Sequence, residues 1–252
     1  MVAKTERLET PADKMPIMSH LREMRDRLVK SVIAIVIGTV VGFIFGPQII
    51  EILKAPAGNI DLQAIELVEN LSVFFKVSLA TGIILAMPFL VYQLLAYVSP
   101  ALTGKEKSYI YRILPAITIM FLGGVAFAYF VALPPALNFL TTFMSDIAEP
   151  SIRVSNYVNI VTRLIVSVGL VFETPIIIMF LTRMGVVSPQ WLARRRKLWI
   201  VLAFVMAAII TPTFDPINQT IIALPLILLL ELSIFLSRFV YKKRVEQPQA
   251  EA

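Results

Sequence analysis

The sequence predicts an all-α polytopic membrane protein. Hydrophobic residues make up 58% of its 252 residues and charged residues only 16%, and the mean hydropathy is +0.80. A soluble domain carries about 25% charged residues. Apolar residues gather in six stretches, and lysine and arginine are concentrated in the two tails and in alternate connections. These features indicate a chain that crosses a bilayer several times.

The six apolar stretches predict six transmembrane helices. They are Leu28–Phe45, Leu71–Tyr97, Ile110–Leu133, Val158–Leu181, Leu198–Ile210 and Ile217–Leu236. A helix needs about 20 residues to cross a hydrocarbon core of about 30 Å. The fifth stretch has only 13 residues, and Pro225 interrupts the sixth. We therefore expect short fifth and sixth helices, either beside a thinned bilayer or tilted and buried against their neighbours.

The distribution of positive charge predicts the orientation, because cytoplasmic loops are enriched in lysine and arginine. Of the 23 such residues, 19 lie on one side, in the tails, in alternate connections or in the first turn of the apolar stretch that follows, whereas the opposite connections hold only Lys54 and Arg153. Both termini are therefore expected in the cytoplasm, with the protein in the plasma membrane. Six crossings satisfy this requirement because the number must be even.

We expect one helical domain over residues 16–240, with cytoplasmic tails at 1–15 (flexible) and 241–252. Its first part, Pro16–Leu28, has an apolar stripe typical of an amphipathic helix that lies on the cytoplasmic headgroups before the chain turns inward. Gly38, Gly42 and Gly46 recur at four-residue spacing and permit close helix approach, within the chain or to a partner. The two external loops are rich in proline, Pro56 among them, and are expected to form a folded cap.

Composition and motifs argue against an enzyme. The chain has no cysteine and one histidine, His20, which excludes thiolate metal sites, iron–sulfur clusters and multi-histidine metal clusters. It has no glycine-rich phosphate loop, and the hydrolase and protease signatures are absent. We expect no metal, no cofactor and no bound nucleic acid. The net charge of +6 mostly reports membrane orientation.

Glu173 is the main candidate site inside the membrane. It lies in the middle of the predicted fourth helix, two residues before Pro175. A charged carboxylate at that depth costs at least ~2.5 kcal/mol, so it must be protonated, paired or hydrated. The residues leave three alternatives open: a contact for a partner helix, a proton-responsive group or an internal hydrogen bond.

Two acidic residues are candidates at the basic cytoplasmic face. Glu106 lies in the turn SPALTGKEK (residues 99–107), and Glu23 lies in the predicted amphipathic helix. A carboxylate binds guanidinium through paired hydrogen bonds that an ammonium cannot supply. The two acids could therefore hold two adjacent arginines. Alternatively, Glu23 pairs with Arg27 at i,i+4 and Glu106 pairs with a neighbouring lysine.

An ordered set of motifs resembles the TatC family, the multispanning subunit of the twin-arginine protein translocase. The matching segments are HLREMRDRL (20–28), SPAL (99–102) followed by Glu106, FAYF (127–130), FETP (172–175), TPTFDPINQT (211–220), IALP (222–225) and Glu231. The resemblance covers roughly residues 15–244. Tyr97 replaces a common phenylalanine, and Glu69-Asn70 replaces a common Glu-Pro pair.

The resemblance implies a receptor for the twin-arginine signal peptides of folded cargo. It also implies that export uses the proton-motive force and no ATP. It implies that Glu106 and Glu23 contact the arginine pair, with Tyr97 and Arg25 nearby. Glu173 would be a polar contact on a concave face of the helix bundle. The partners implied are the single-helix subunits TatA and TatB, along the fifth and sixth helices, and further copies in a larger complex. Further partner-binding or structural candidates are Asp215, Gln219, Glu231, Glu69 and Pro56.

Two other classes compete with this interpretation. A solute transporter or channel could use Glu173 as a midplane carboxylate, although the chain shows no inverted repeat. A scaffold for other membrane proteins would need neither Glu106 nor Glu23. A receptor should bind a twin-arginine peptide near Glu106 and should not bind its twin-lysine version.

Overall fold

The computed structural model describes residues 17–58, 62–98, 104–142, 152–211 and 215–246. Its helices are α1 (Ile17–Ile44), α2 (Gly46–Lys54), α3 (Glu69–Val98), α4 (Gly104–Phe127), α5 (Leu133–Thr142), α6 (Val154–Phe172), α7 (Thr174–Met184), α8 (Pro189–Arg194), α9 (Arg196–Ile210) and α10 (Pro216–Glu246). A 3-10 turn covers Ala55–Ala57, a π-helical segment covers Ala128–Ala132, and two strands, β1 (Leu62–Gln63) and β2 (Ile152–Arg153), complete the described elements.

The first helix is continuous, which corrects the expectation that an amphipathic segment precedes a separate membrane helix. α1 has 28 residues and no break between Ile17 and Ile44. The sequence contains no proline or glycine from Ile17 to Ile37, so nothing interrupts the backbone hydrogen bonds at the expected turn. The start of α1 therefore extends in line with the part that is long and apolar enough to span a membrane.

Small residues bring α1 and α3 into close contact. A Cβ atom on Gly38 would lie 2.7 Å from the carbonyl oxygen of Gly82, and one on Gly42 would lie 2.5 Å from that of Ser78. No side chain larger than hydrogen fits at these positions. The glycines of α1 therefore serve packing within the chain.

Two apolar clusters form the interior. The larger joins α3, α6, α9 and α10 to the segments that connect α1 with α3 and α4 with α6, with Tyr157 and Leu164 fully enclosed. The smaller joins α3, α4 and α7 around Phe121 and Phe180. α6 contacts α3, α4 and α9, so it is the central helix of the bundle. α1 packs mainly on α3 and is otherwise exposed.

The two loops that were expected to form a cap do fold together, and they add β structure to a fold predicted as all-α. β1 and β2 pair in parallel, with Leu62 opposite Ile152 and Gln63 opposite Arg153. The hydroxyl of Tyr129 donates to the carbonyl of Ile52 at 2.7 Å. Each strand has only two residues, so the pairing is a small addition to the helical fold. It supplies hydrogen-bond partners for backbone groups that lie outside the helices.

Proline interrupts two of the long helices. Pro134 and Pro135 have no N–H to donate to the carbonyls of Phe130 and Val131, and the chain widens into the π-helical segment at that point. Pro175 likewise removes the donor for the carbonyl of Val171, and the hydroxyl of Thr174 donates to that carbonyl at 2.6 Å. Glu173 therefore lies at the junction of α6 and α7, not in the middle of one helix as predicted.

Five helical segments within the described residues are long and apolar enough to span a membrane. They are Met18–Ile44, Glu69–Tyr97, Ile113–Thr142, Val154–Met184 and Pro216–Tyr241. α9 has 15 residues and is short, as predicted, reaching about 22 Å. The prediction of a short sixth helix is wrong, because α10 has 31 residues and continues to Glu246. No glycine or proline lies between Pro225 and Glu246, and lysine and arginine are good helix formers.

Candidate functional site

The start of α1 and the end of α3 form a polar site. The guanidinium of Arg27 donates from Nε and Nη2 to Oε1 of Glu23, at 2.9 and 2.7 Å. Its Nη1 donates to Oε1 of Gln93 on α3, at 3.1 Å. Gln93 is buried, and the Glu23 and Arg27 side chains are 30% and 25% exposed. The ion-pair alternative for Glu23 is therefore the one observed.

An aromatic pair lies next to this ion pair. The rings of His20 and Tyr97 stack with their centroids 4.6 Å apart and their planes inclined by 18°. His20 precedes Glu23 by three residues and Tyr97 follows Gln93 by four, so each shares a helix face with its neighbour. Two of the predicted site residues, Glu23 and Tyr97, thus lie in one group. Arg25 instead forms an exposed ion pair with Asp26 at 3.0 Å.

Glu106 lies in the first turn of α4, and its side chain lies outside the described residues. The connection between Val98 and Gly104 spans six residue steps, which limits their separation to about 20 Å. The chain therefore keeps the start of α4 near the end of α3, where Tyr97 and Gln93 lie. Whether the Glu106 carboxylate joins Glu23 stays a prediction.

Glu173 is fully enclosed, and its carboxylate has no hydrogen-bond partner among the described residues. Gly124 and Gly169 permit this enclosure, because a Cβ atom on Gly124 would lie 2.9 Å from Cα of Gly169. α4 and α6 thus approach closely beside the junction. A buried polar group without a partner is unusual in a folded protein and often marks a functional position. The predicted internal hydrogen bond is absent among the described residues, and the partner contact stays a prediction.

Contacts within the hairpin of α9 and α10 involve three further candidates. Asp215 caps α10, since its carboxylate accepts from the N–H of Asn218 at 2.9 Å. Gln219 donates to the carbonyl of Phe204 on α9 at 2.9 Å, and Glu231 forms an ion pair with Arg196 at 2.9 Å. These contacts join the two helices along much of their length. The turn 212–214 lies outside the described residues.

Glu69 and Pro56 belong to the cap. The buried carboxylate of Glu69 accepts from the backbone N–H groups of Ile65 at 2.8 Å and of Ser155 at 3.0 Å. Arg153 donates to Glu69 at 3.4 Å and to Glu66 at 2.7 Å. Pro56 lies in the 3-10 turn, whose following residue, Gly58, has a φ of +58°.

The sequence interpretation missed Gln93, His20 and Arg153 as site residues. Gln93 carried a signal, because an amide inside an apolar stretch needs a partner once it is buried. Neither residue number nor spacing indicates that this partner is Arg27, 66 positions away.

The fold and this site define a polytopic α-helical membrane protein with polar groups held between its helices. A sequence model of the TatC family, described as "Sec-independent protein translocase protein (TatC)", matches residues 19–225. The chain therefore belongs to the TatC family. This result confirms the resemblance and the assignment to a protein-translocase family.

Individual relatives cover nearly the whole chain. The Sec-independent protein translocase protein TatC of Aquifex aeolicus is 40% identical over 94% of this chain and 100% of its own length. That of Carboxydothermus hydrogenoformans is 34% identical over 91% and 95%. A crystal structure of the twin-arginine translocase receptor TatC matches with a TM-score of 0.75 and 40% identity, covering 88% of this chain and 99% of that one.

Proposed function

We propose that this protein is the signal-peptide receptor and core subunit of a twin-arginine translocase, which exports folded proteins by using the proton-motive force. One observation carries the proposal: the Glu23 carboxylate already binds a guanidinium, that of Arg27, beside an aromatic pair. A group that accepts two N–H bonds from one arginine has the chemistry to accept them from a peptide arginine. The solved relative described as a twin-arginine translocase receptor supports this function.

The arginine pair of the peptide would be shared between two carboxylates. Glu106, in the first turn of α4, takes one guanidinium, and Glu23 takes the other. Tyr97, which stacks on His20, offers its ring to the peptide beside them. Arg25 lies near this surface and interacts with the peptide backbone or carboxylates. The planar fork of each arginine matches the two oxygens of one carboxylate, which the ammonium group of lysine cannot do, and this match gives the selectivity.

We propose that the protein lies in the plasma membrane. It crosses the membrane six times, and both termini lie in the cytoplasm. The uneven distribution of 19 cations against two supports the orientation. It requires α9 to count as a crossing although it reaches only about 22 Å. A helix shorter than the hydrocarbon core thins the bilayer beside it.

Glu173 and the hairpin of α9 and α10 are the proposed contacts for partner subunits. TatA and TatB, each with one membrane helix, would pack along α9 and α10, and further copies of this chain would join a larger complex. Glu173 would contribute a polar contact facing the concave side of the bundle. Its unpaired carboxylate supports this role, and because the side chain is fully enclosed in the free chain, a partner's polar group would reach it only when the helices around the junction of α6 and α7 separate.

The first experiment replaces Glu106. Glu106→Gln and Glu106→Ala are expected to abolish export of twin-arginine cargo, because the carboxylate that binds one guanidinium is lost, while the protein still inserts in the membrane. The measurement is periplasmic accumulation of a reporter, together with the amount of inserted protein.

Glu51→Gln is the matched control, since Glu51 is an exposed acid of α2 on the opposite side of the proposed membrane. It should export normally. A labelled twin-arginine peptide should crosslink near Glu106, and a twin-lysine peptide should not. Normal export by the Glu106 variants, or equal crosslinking by both peptides, would contradict the receptor function.

A further inference from the structure

Arg27 is held from two sides by two different helices. Its Nε and Nη2 bind Glu23 on α1, and its Nη1 binds the amide oxygen of Gln93 on α3. Gln93 is only 6% exposed. A carboxylate on one side and an amide oxygen on the other use the spread of the guanidinium fork, which a single ammonium group cannot match.

This ion pair is more enclosed than two others between side chains in the described part of the chain. Arg25 and Asp26 have side chains that are 70% and 54% exposed, and those of Arg196 and Glu231 are both 48% exposed. The corresponding values for Arg27 and Glu23 are 25% and 30%. The Arg27–Glu23 pair is therefore partly buried where α1 meets α3, and it is less solvated than these two surface pairs.

We propose that Arg27 is an internal placeholder for the arginine of a signal peptide. This inference rests on the proposed receptor function. In the free protein two N–H groups of Arg27 occupy Oε1 of Glu23, and an incoming arginine must displace them before it can bind both oxygens of that carboxylate. Only the fraction of molecules with Arg27 displaced is competent, so the measured affinity is lower than the intrinsic affinity by that fraction.

The placeholder does not itself choose between arginine and lysine. Every peptide that uses Glu23 meets the same competent fraction, so Arg27 lowers both affinities by the same factor. The preference for arginine comes from the carboxylate, because an arginine offers Glu23 the paired donors that it loses when Arg27 leaves, whereas a lysine offers one compact ammonium group.

The test measures binding of fluorescent twin-arginine and twin-lysine peptides to the purified full-length protein in lipid nanodiscs. Arg27→Gln is expected to raise the affinity for the twin-arginine peptide about fivefold, because the peptide no longer has to break the partly exposed Arg27–Glu23 ion pair. It should raise the affinity for the twin-lysine peptide by the same factor, so that the discrimination between the two peptides is unchanged. Arg27→Lys keeps the charge without the fork and should give an intermediate affinity.

Arg22→Gln is the matched control, since Arg22 is an exposed arginine on the same helix and its loss makes the same change in net charge. It should change both affinities by less than about twofold. An unchanged or lower twin-arginine affinity in both Arg27 variants, with thermal unfolding as in the unsubstituted protein, would overturn the placeholder and make Arg27 a positioning residue. Failure of the receptor function itself looks different: the unsubstituted protein would then bind both peptides equally.

Discussion

At the residue scale, Glu69 joins two loops that are far apart in the sequence. Its carboxylate, 3% exposed, accepts hydrogen bonds from the loop before α3 and from Ser155, 86 residues away. The guanidinium of Arg153 forms an ion pair with the Glu69 carboxylate. The hydrogen bond from Arg153 to Glu66, and secondly the one to Glu69, raise the pKa of the Arg153 guanidinium. Arg153 therefore stays charged at any physiological pH, and the cap depends on the carboxylate of Glu69.

Glu69→Gln is expected to lower the Tm of the purified protein by several degrees and to speed proteolysis of the loops before α3 and before α6. An amide keeps the shape but replaces one accepting oxygen with a donor, which then faces backbone N–H groups. The measurement is thermal unfolding in detergent together with limited proteolysis.

Glu66→Gln provides the matched comparison, because Glu66 also contacts Arg153 but its side chain is 63% exposed. An exposed ion pair contributes little to stability, so this variant should unfold close to the unsubstituted protein. Equal effects of the two substitutions would show that the backbone contacts of Glu69 do not hold the cap.

At the element scale, the placement of the polar site depends on how closely α1 and α3 approach. Glu23 and Arg27 are on α1, and Gln93 and Tyr97 are on α3, so the site exists only while the two helices stay in contact. The contact is made by glycine against backbone, at Gly38 and Gly82. Because a packed interface of this kind has no free volume, even one methyl group forces the helices apart.

Gly82→Ala is expected to separate α1 from α3 and destabilise the protein by about 1–3 kcal/mol, as overpacking does. The added Cβ would lie 2.6 Å from the backbone nitrogen of Thr39. The measurement combines thermal unfolding with crosslinking between single cysteines introduced on α1 and α3.

Gly123→Ala serves as the control in α4, where an added Cβ meets nothing within 4 Å. Alanine is about 0.5–1 kcal/mol more favourable than glycine in a helix interior, so this variant should be as stable or slightly more stable. If both variants lose stability, then replacing a helical glycine by alanine is destabilising in either helix, and the loss in Gly82→Ala does not come from the α1–α3 contact.

At the scale of the whole molecule, α9 determines whether the chain crosses the membrane five or six times. The helix is short, and its end is tied to α6, because Arg163 donates to the carbonyl of Ile209 at 2.6 Å. The last carbonyls of a helix lack partners within it, so a cation at that point stabilises the end. α9 therefore ends at a fixed level of the bundle, although it is too short for an ordinary bilayer.

The topology can be tested directly, because the natural sequence contains no cysteine. Single cysteines at Leu67, Val186 and Ile217, all strongly exposed, would be labelled with a membrane-impermeant maleimide. We expect Leu67→Cys and Ile217→Cys to react in intact cells with an accessible outer face, and Val186→Cys only after permeabilisation. Labelling of Ile217→Cys only after permeabilisation would show that α9 does not cross and would refute the six-crossing proposal.

The sequence alone determined the class of the protein and the approximate helix positions, because apolar length and charge asymmetry are local properties of the chain. It also pointed to Glu23 and Tyr97, which share one site, and to Glu173. It misjudged the continuity of α1, the length of α10 and the junction at Glu173. These three features each depend on whether the backbone hydrogen bonds of a helix continue past a given residue.

Only the tertiary structure decided which polar groups meet. Gln93 receives Arg27 from 66 residues away, and Glu69 binds the N–H of Ser155 from 86 residues away. Such pairs leave no periodic trace in the sequence, since they follow from how helices pack. Burial then makes each pairing obligatory, because a polar group removed from water and left without a partner costs free energy.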